Sequence, residues 1–121
     1  MKKDKIKQEL LNVINEKGSL SFVELEDLFK KFDFDYEGNL QYTISRKNEY
    51  SVVIWAGLND EALDILDDLF NNKDIMFTAC NILIYHIDGK YINLPIAKRP
   101  RMYKKPHWLP TLICPMNMAY A

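Results

Sequence analysis

All five prolines of the 121-residue chain lie between residues 95 and 115, at Pro95, Pro100, Pro106, Pro110 and Pro115. A proline inside a helix removes a backbone donor and clashes with the preceding turn, and in a sheet it is confined to edges, strand starts and bulges. No helix can propagate through the last quarter of the sequence, so the long regular elements must come from the first 94 residues. Charge divides the chain at nearly the same place. Residues 1–97 carry 11 Lys and Arg against 17 Asp and Glu, a net of -6, whereas residues 98–121 carry five against none, a net of +5. This predicts a body over 1–97 and a basic, Pro-rich, extended C-terminal arm over 98–121. Trp108, Leu109, Leu112 and Ile113 are too apolar for a free arm, so its second part is expected to dock on the body and hold the basic part against the surface.

Within the body, Ile6, Leu10, Leu11, Val13 and Ile14 repeat with a helical period up to a stop at Gly18. Ser21-Phe-Val-Glu24 has capping-box spacing, flanked by a Leu20/Leu25 staple, and predicts a second helix with Phe22, Leu25, Leu28, Phe29 and Phe32 inward. Leu40, Tyr42 and Ile44 alternate with polar residues, and Val52–Trp55 is apolar on both faces, the pattern of a hairpin with one interior strand across the polar turn Arg46–Glu49. Asn59 is a good N-cap for a third helix with Ala62, Leu63, Leu66, Leu69 and Phe70 inward and Glu61, Asp64, Asp67 and Asp68 as an acidic ridge. A short strand is expected at Ile75–Phe77. Asp88-Gly89 between two alternating runs, Ile82–Ile87 and Lys90–Leu94, predicts a second hairpin with a type I′ turn, His86 facing Tyr91 on its outer side. The fold class is therefore α+β, three helices with two β-hairpins in the order ααββαβββ, and that order resembles an elaborated winged helix with Ile82–Ile96 as the wing.

Little in this chain points to catalysis. There is no Gly-rich phosphate loop and no nucleophile elbow, and Cys80, Cys114, His86 and His107 make no regular metal-ligand spacing. The expected protein is not an enzyme, needs no cofactor or metal and has no small-molecule substrate. Both cysteines are read as reduced thiols of a cytoplasmic protein, since no stretch approaches the length of a membrane span. The acidic ridge reads as a solvated helix face available to a protein partner or to the arm. The cationic stretch is the one segment with a binding chemistry of its own. Lys98, Arg99, Arg101, Lys104 and Lys105 can neutralise phosphates while Tyr103 and His107 offer stacking faces, the combination that grips single-stranded nucleic acid without reading sequence.

Val52-Val-Ile-Trp-Ala-Gly57, Asn59-Asp-Glu-Ala62, Tyr85-His-Ile-Asp-Gly-Lys90, Leu94-Pro-Ile-Ala-Lys98 and Tyr103-Lys-Lys-Pro-His-Trp-Leu-Pro110 together resemble a family of small proteins carried by Firmicute phages and staphylococcal mobile elements. The resemblance runs over nearly the whole chain. It extends to the small middle proteins of staphylococcal cassette chromosome replication modules, which partner an A-family DNA polymerase and give it priming ability. What this implies is a non-catalytic subunit that helps a polymerase hold template or primer, with single-stranded DNA on the basic arm and a replication protein of the same element as partner. A winged-helix protein usually reads duplex with its last helix, and the ridge on that helix would repel phosphates, so DNA is expected on arm and wing instead. The competing expectation is a phage- or island-encoded interaction module that inhibits a host, rival or defence protein.

Overall fold

The structure is a computed structural model that describes residues 2–43, 52–90, 92–97, 105 and 107–116. Their order is α1 (Lys2–Lys17), β1 (Leu20–Ser21), α2 (Phe22–Lys31), β2 (Glu37–Thr43), β3 (Val52–Leu58), α3 (Asp60–Asn71), β4 (Ile75–Ala79), α4 (Leu83–Asp88), β5 (His107–Trp108) and β6 (Thr111–Pro115). The class is α+β, with four helices and two three-stranded sheets among the described residues. One sheet has the order β1-β6-β4, all antiparallel; the other is β2-β3-β5, with β2 antiparallel and β5 parallel to β3.

The first three helices form where the sequence placed them. Ile6, Leu10 and Ile14 of α1 are buried, and Gly18, at φ 86°, ends the helix by donating its N–H to Ile14 O. At the start of α2, Ser21 Oγ accepts from Glu24 N while Glu24 Oε1 accepts from Ser21 N, a complete capping box. Burial raises the Glu24 pKa, but the bonds from Lys17 and Ser21 outweigh it and hold the carboxyl below its ordinary value. The Asn59 side chain caps α3 through Ala62 N at 2.9 Å. Ala62, Ile65, Leu66 and Leu69 face inward from α3, whereas Phe70, expected in the core, is 43% exposed.

The first hairpin is present, with β3 interior and Val52, Val53, Ile54 and Trp55 all buried. The second is not. Ile82–Ile87 was expected to pair with Lys90–Leu94, but α4 occupies this stretch and Gly89 is its left-handed cap at φ 82°. Asn81 starts the helix, with its Oδ1 accepting from Leu83 N at 2.9 Å and its carbonyl from Ile84 N. Tyr85 decides the outcome. Its ring is fully buried, and its hydroxyl donates to Thr111 O at 2.6 Å and accepts from Phe22 N at 3.1 Å. A helical turn delivers that one side chain to the core and leaves Leu83 and Ile87 exposed. His86 is exposed on α4, and Tyr91 lies outside the described residues. The winged-helix likeness loses its wing with this hairpin, and the order ααββαβββ is replaced by the one above.

Gly89→Val should still destabilise the protein, by about 1–2 kcal/mol for a β-branched residue forced into the left-handed region. Unlike a type I′ turn, the helix cap asks for positive φ at Gly89 alone. Thermal melts of Gly89→Asn and Gly89→Val should therefore separate, the Asn variant staying close to wild type.

The last elements are integral to the body. β6 is the central strand of its sheet, between β1 and β4, and Pro115 fits there because its missing N–H faces the side on which β1 has already ended. Trp108 and Ile113 belong to the same core as Phe22, Trp55 and Leu66, while Val52, Ala97 and Leu109 form a small second cluster.

Candidate nucleic-acid interface

The basic stretch is held at both of its roots. On entry, Ala97 N donates to Trp108 O at 2.7 Å; on return, Trp108 N donates to Pro95 O at 2.8 Å, and Leu109 N donates to Val53 O at 2.9 Å. Ile96 and Trp108 make a parallel bridge alongside the pairing of β5 with β3. Trp108 is the anchor. It is 0% exposed, its Nε1 donates to Ile54 O at 3.2 Å, and its ring lies 5.2 Å from Tyr85 and 6.2 Å from Trp55. Ala97 and Trp108, on either side of the basic stretch, are thus bonded to each other.

Lys98, Arg99, Arg101, Tyr103 and Lys104 lie outside the described residues. Lys105 is exposed at the re-entry point, and its carbonyl accepts from His107 Nδ1 at 2.8 Å. His107 is half-buried on β5, level with Val52, the first residue of β3. The start of β3 and the start of β5 therefore lie side by side. Arg46 and Lys47 of the connection from β2 to β3, expected as part of a polar turn, lie outside the described residues.

The acidic ridge does not act as one surface. Asp64 Oδ2 takes Lys3 Nζ at 3.4 Å and Asp68 Oδ2 takes Lys7 Nζ at 3.1 Å, two rungs between α1 and α3. The hydrogen bond to Asp68 raises the Lys7 pKa, against desolvation. Asp67 faces another way and accepts from the Tyr42 hydroxyl, whose pKa is raised by burial first and then by this carboxylate. Glu61 is exposed near the start of α3. Half of the residues expected to meet a partner are thus engaged by α1.

Sequence reasoning missed a buried carboxylate. Glu26 on α2 is 3% exposed, and its two oxygens accept from Trp55 Nε1 at 2.7 Å and Lys90 Nζ at 2.6 Å, with the lysine also 5.9 Å over the Trp55 ring. A glutamate within the apolar stripe of α2 was the available sign. Beside it, Ser21 Oγ donates to Asp88 Oδ2 at 2.8 Å. These bonds tie α2 to β3 through Trp55 and to the end of α4 through Asp88 and Lys90. Burial, and then the nearby Cys114, push the Cys80 thiol up to about 11, which keeps it protonated at neutral pH. Among the described residues no group of three or more His, Cys, Asp or Glu is placed to hold a metal, and no helix is long and apolar enough to cross a membrane. Comparison of the chain with protein-family models, with curated proteins and with solved structures finds no match.

Proposed function

We propose that this chain is a non-catalytic, nucleic-acid-binding accessory subunit of a mobile-element DNA replication complex, one that helps a polymerase hold template or primer. The observation that carries the reading is the anchoring of the residues on both sides of the basic stretch: Ala97 before it and Trp108 after it are bonded to each other, and Leu109 to Val53 of β3, around the buried Trp108 indole. Pinning both ends of a cationic segment lowers the entropy lost when it grips a phosphate chain. Lys3 and Lys7 offset Asp64 and Asp68 and reduce the repulsion that α3 would exert on a polyanion. The resemblance to small replication-module proteins points the same way and supplies the class of partner, a polymerase in the cytoplasm of a bacterial host. The inhibitor reading draws on the exposed Glu61 and Asp67, a smaller acidic surface than the sequence promised.

Fluorescence anisotropy with labelled single-stranded and duplex oligonucleotides tests the proposal. Single strands should bind more tightly than duplex. Engagement of all five cations of the arm should give a log–log salt slope of roughly -3.5, from about -0.7 per phosphate neutralised. Arg99→Glu/Lys104→Glu should abolish most of the binding, and Tyr103→Ala should weaken it. Absence of binding at low salt both alone and with the polymerase, or full binding by the charge-reversed variant, would transfer the weight to the inhibitor reading.

A further inference from the structure

The two sheets treat their outer strands differently. β2 is broken by three register irregularities and carries Glu37, Gly38 and Asn39, devices that turn an edge away from further pairing. β1 is two residues long and runs straight into α2. β4 has no such protection: Ile75–Ala79 contains no charge and no proline, and its register against β6 is unbroken. Cys80 N donates to Pro110 O at 2.9 Å and Met116 N to Asp74 O at 3.2 Å, which sets the phase of the ladder. Residues 74, 76, 78 and 80 are the hydrogen-bonded partners of β6, so the N–H and C=O groups of Ile75, Phe77 and Ala79 point to the open side. Among the described residues no hydrogen bond from outside the sheet reaches these groups. Thr78 and Ala79 are exposed.

An aromatic step adjoins this edge. Phe77 stacks on Phe70 at 5.3 Å and meets Tyr42 edge-on at 5.5 Å, and Phe70 is the inward-predicted residue of α3 that stands 43% exposed. The flank is acidic. Asp67 sits at the Tyr42 hydroxyl, on a different side from the Asp64 and Asp68 that α1 neutralises, and Asp74 immediately precedes the strand.

We propose that the open edge of β4 takes an extended segment of a protein partner as an added strand, cationic where it faces Phe70 and Asp67 and apolar where it lies beside Met76 and Thr78. Main-chain bonds to Ile75, Phe77 and Ala79 supply the affinity, and the aromatic and carboxylate side chains supply the preference for Lys or Arg. A second copy of this chain is the poorer occupant, because antiparallel pairing of two β4 strands about Phe77 brings two identical acidic flanks together. The inference rests on the accessory-subunit reading only in requiring a protein partner; β4 lies in the sheet that does not carry the basic stretch.

The probe is a capped seven-residue peptide alternating lysine and valine, titrated into 15N-labelled protein, with a glutamate–valine peptide and an alternately N-methylated version as controls. Amide shifts should concentrate at residues 75–79, Phe70 and Asp67, and both controls should bind at least about tenfold more weakly. Ala79→Pro removes only an outward N–H, and Asp67→Lys reverses the flank; each should weaken the lysine peptide to the same degree. Should Ala79→Pro fail to fold, the N-methylated peptide makes the same test on intact protein. No shifts at millimolar lysine peptide, or equal binding of the N-methylated peptide, would overturn the proposal, as would a dimer in sedimentation that Asp67→Lys strengthens and Ala79→Pro abolishes. Oligonucleotide binding measured on the same samples separates the two readings, since its loss with peptide binding intact removes the nucleic-acid role and leaves the strand site standing.

Discussion

Trp108→Ala is expected to cost about 3–5 kcal/mol of folding stability, the range for deleting a large core aromatic. The indole is fully buried between Tyr85 and Trp55, and its Nε1 bond to Ile54 O ties it to the interior strand of its sheet. Truncation leaves a cavity at the meeting point of β3, β5 and α4, and relaxation there is limited because Ala97, Pro95 and Val53 are bonded to the backbone of residues 108 and 109. Urea denaturation followed by circular dichroism gives the loss directly. Trp108→Phe should lose less than half as much, since a ring fills most of the space although the Nε1 bond is lost. A mild phenotype for the Ala variant would mean that the root of the basic stretch is held by backbone pairing alone.

The second large effect is expected at Glu26. Glu26→Ala removes the acceptor of the buried Trp55 Nε1 and leaves a void under α2, together worth about 2–4 kcal/mol. Lys90 contributes little to that figure, because its side chain is half-exposed and regains water when the carboxylate goes. Glu26→Gln separates the two roles. It can keep the bond to Trp55 while giving up the charge, so it should lose much less than Glu26→Ala, and intrinsic tryptophan emission should stay near that of wild type. If the two variants lose equal stability, the ion pair with Lys90 outweighs the indole bond.

The parts of this fold that follow from local chemistry were legible in the sequence. Ser21-Phe-Val-Glu24 specified the start of α2 to the residue, and Asn59 did so for α3, since a side-chain cap needs only the next few backbone groups. The β2–β3 hairpin followed from alternation against a two-sided apolar run. The stretch from Ile82 to Leu94 misled because its two signals are ambiguous: alternating apolar residues in a short segment suit a strand or a single helical turn, and Asp-Gly suits a type I′ turn or a helix C-terminus. The tie was broken by the bonds of the Tyr85 hydroxyl to Phe22 and Thr111, residues 63 and 26 positions away, which no local pattern contains. Phe70 fell on the inward side of the helical period, yet it stacks on Phe77 at the margin of the core. Of the candidate interface, the charge was plain in the sequence and its anchoring was half visible: an apolar Trp108 predicted docking, but not that Ala97 and Pro95 would close on it.

Strand β6 lies between β1, at residues 20 and 21, and β4, at residues 75–79, and β5 completes the second sheet beside β3. Synthesis is vectorial, so both sheets wait for residues 107–115. Until these emerge from the ribosome, β1 has no neighbour to pair with, β4 lacks its inner partner and Trp55 lacks Trp108. Until then the nascent chain carries its helices and one hairpin with apolar faces uncovered, and closure couples contacts separated by some 90 residues in one concerted step. For such a topology the exposed period scales with translation speed, and slow codons or a stalled ribosome upstream of Trp108 would lengthen the interval in which chaperones hold the chain.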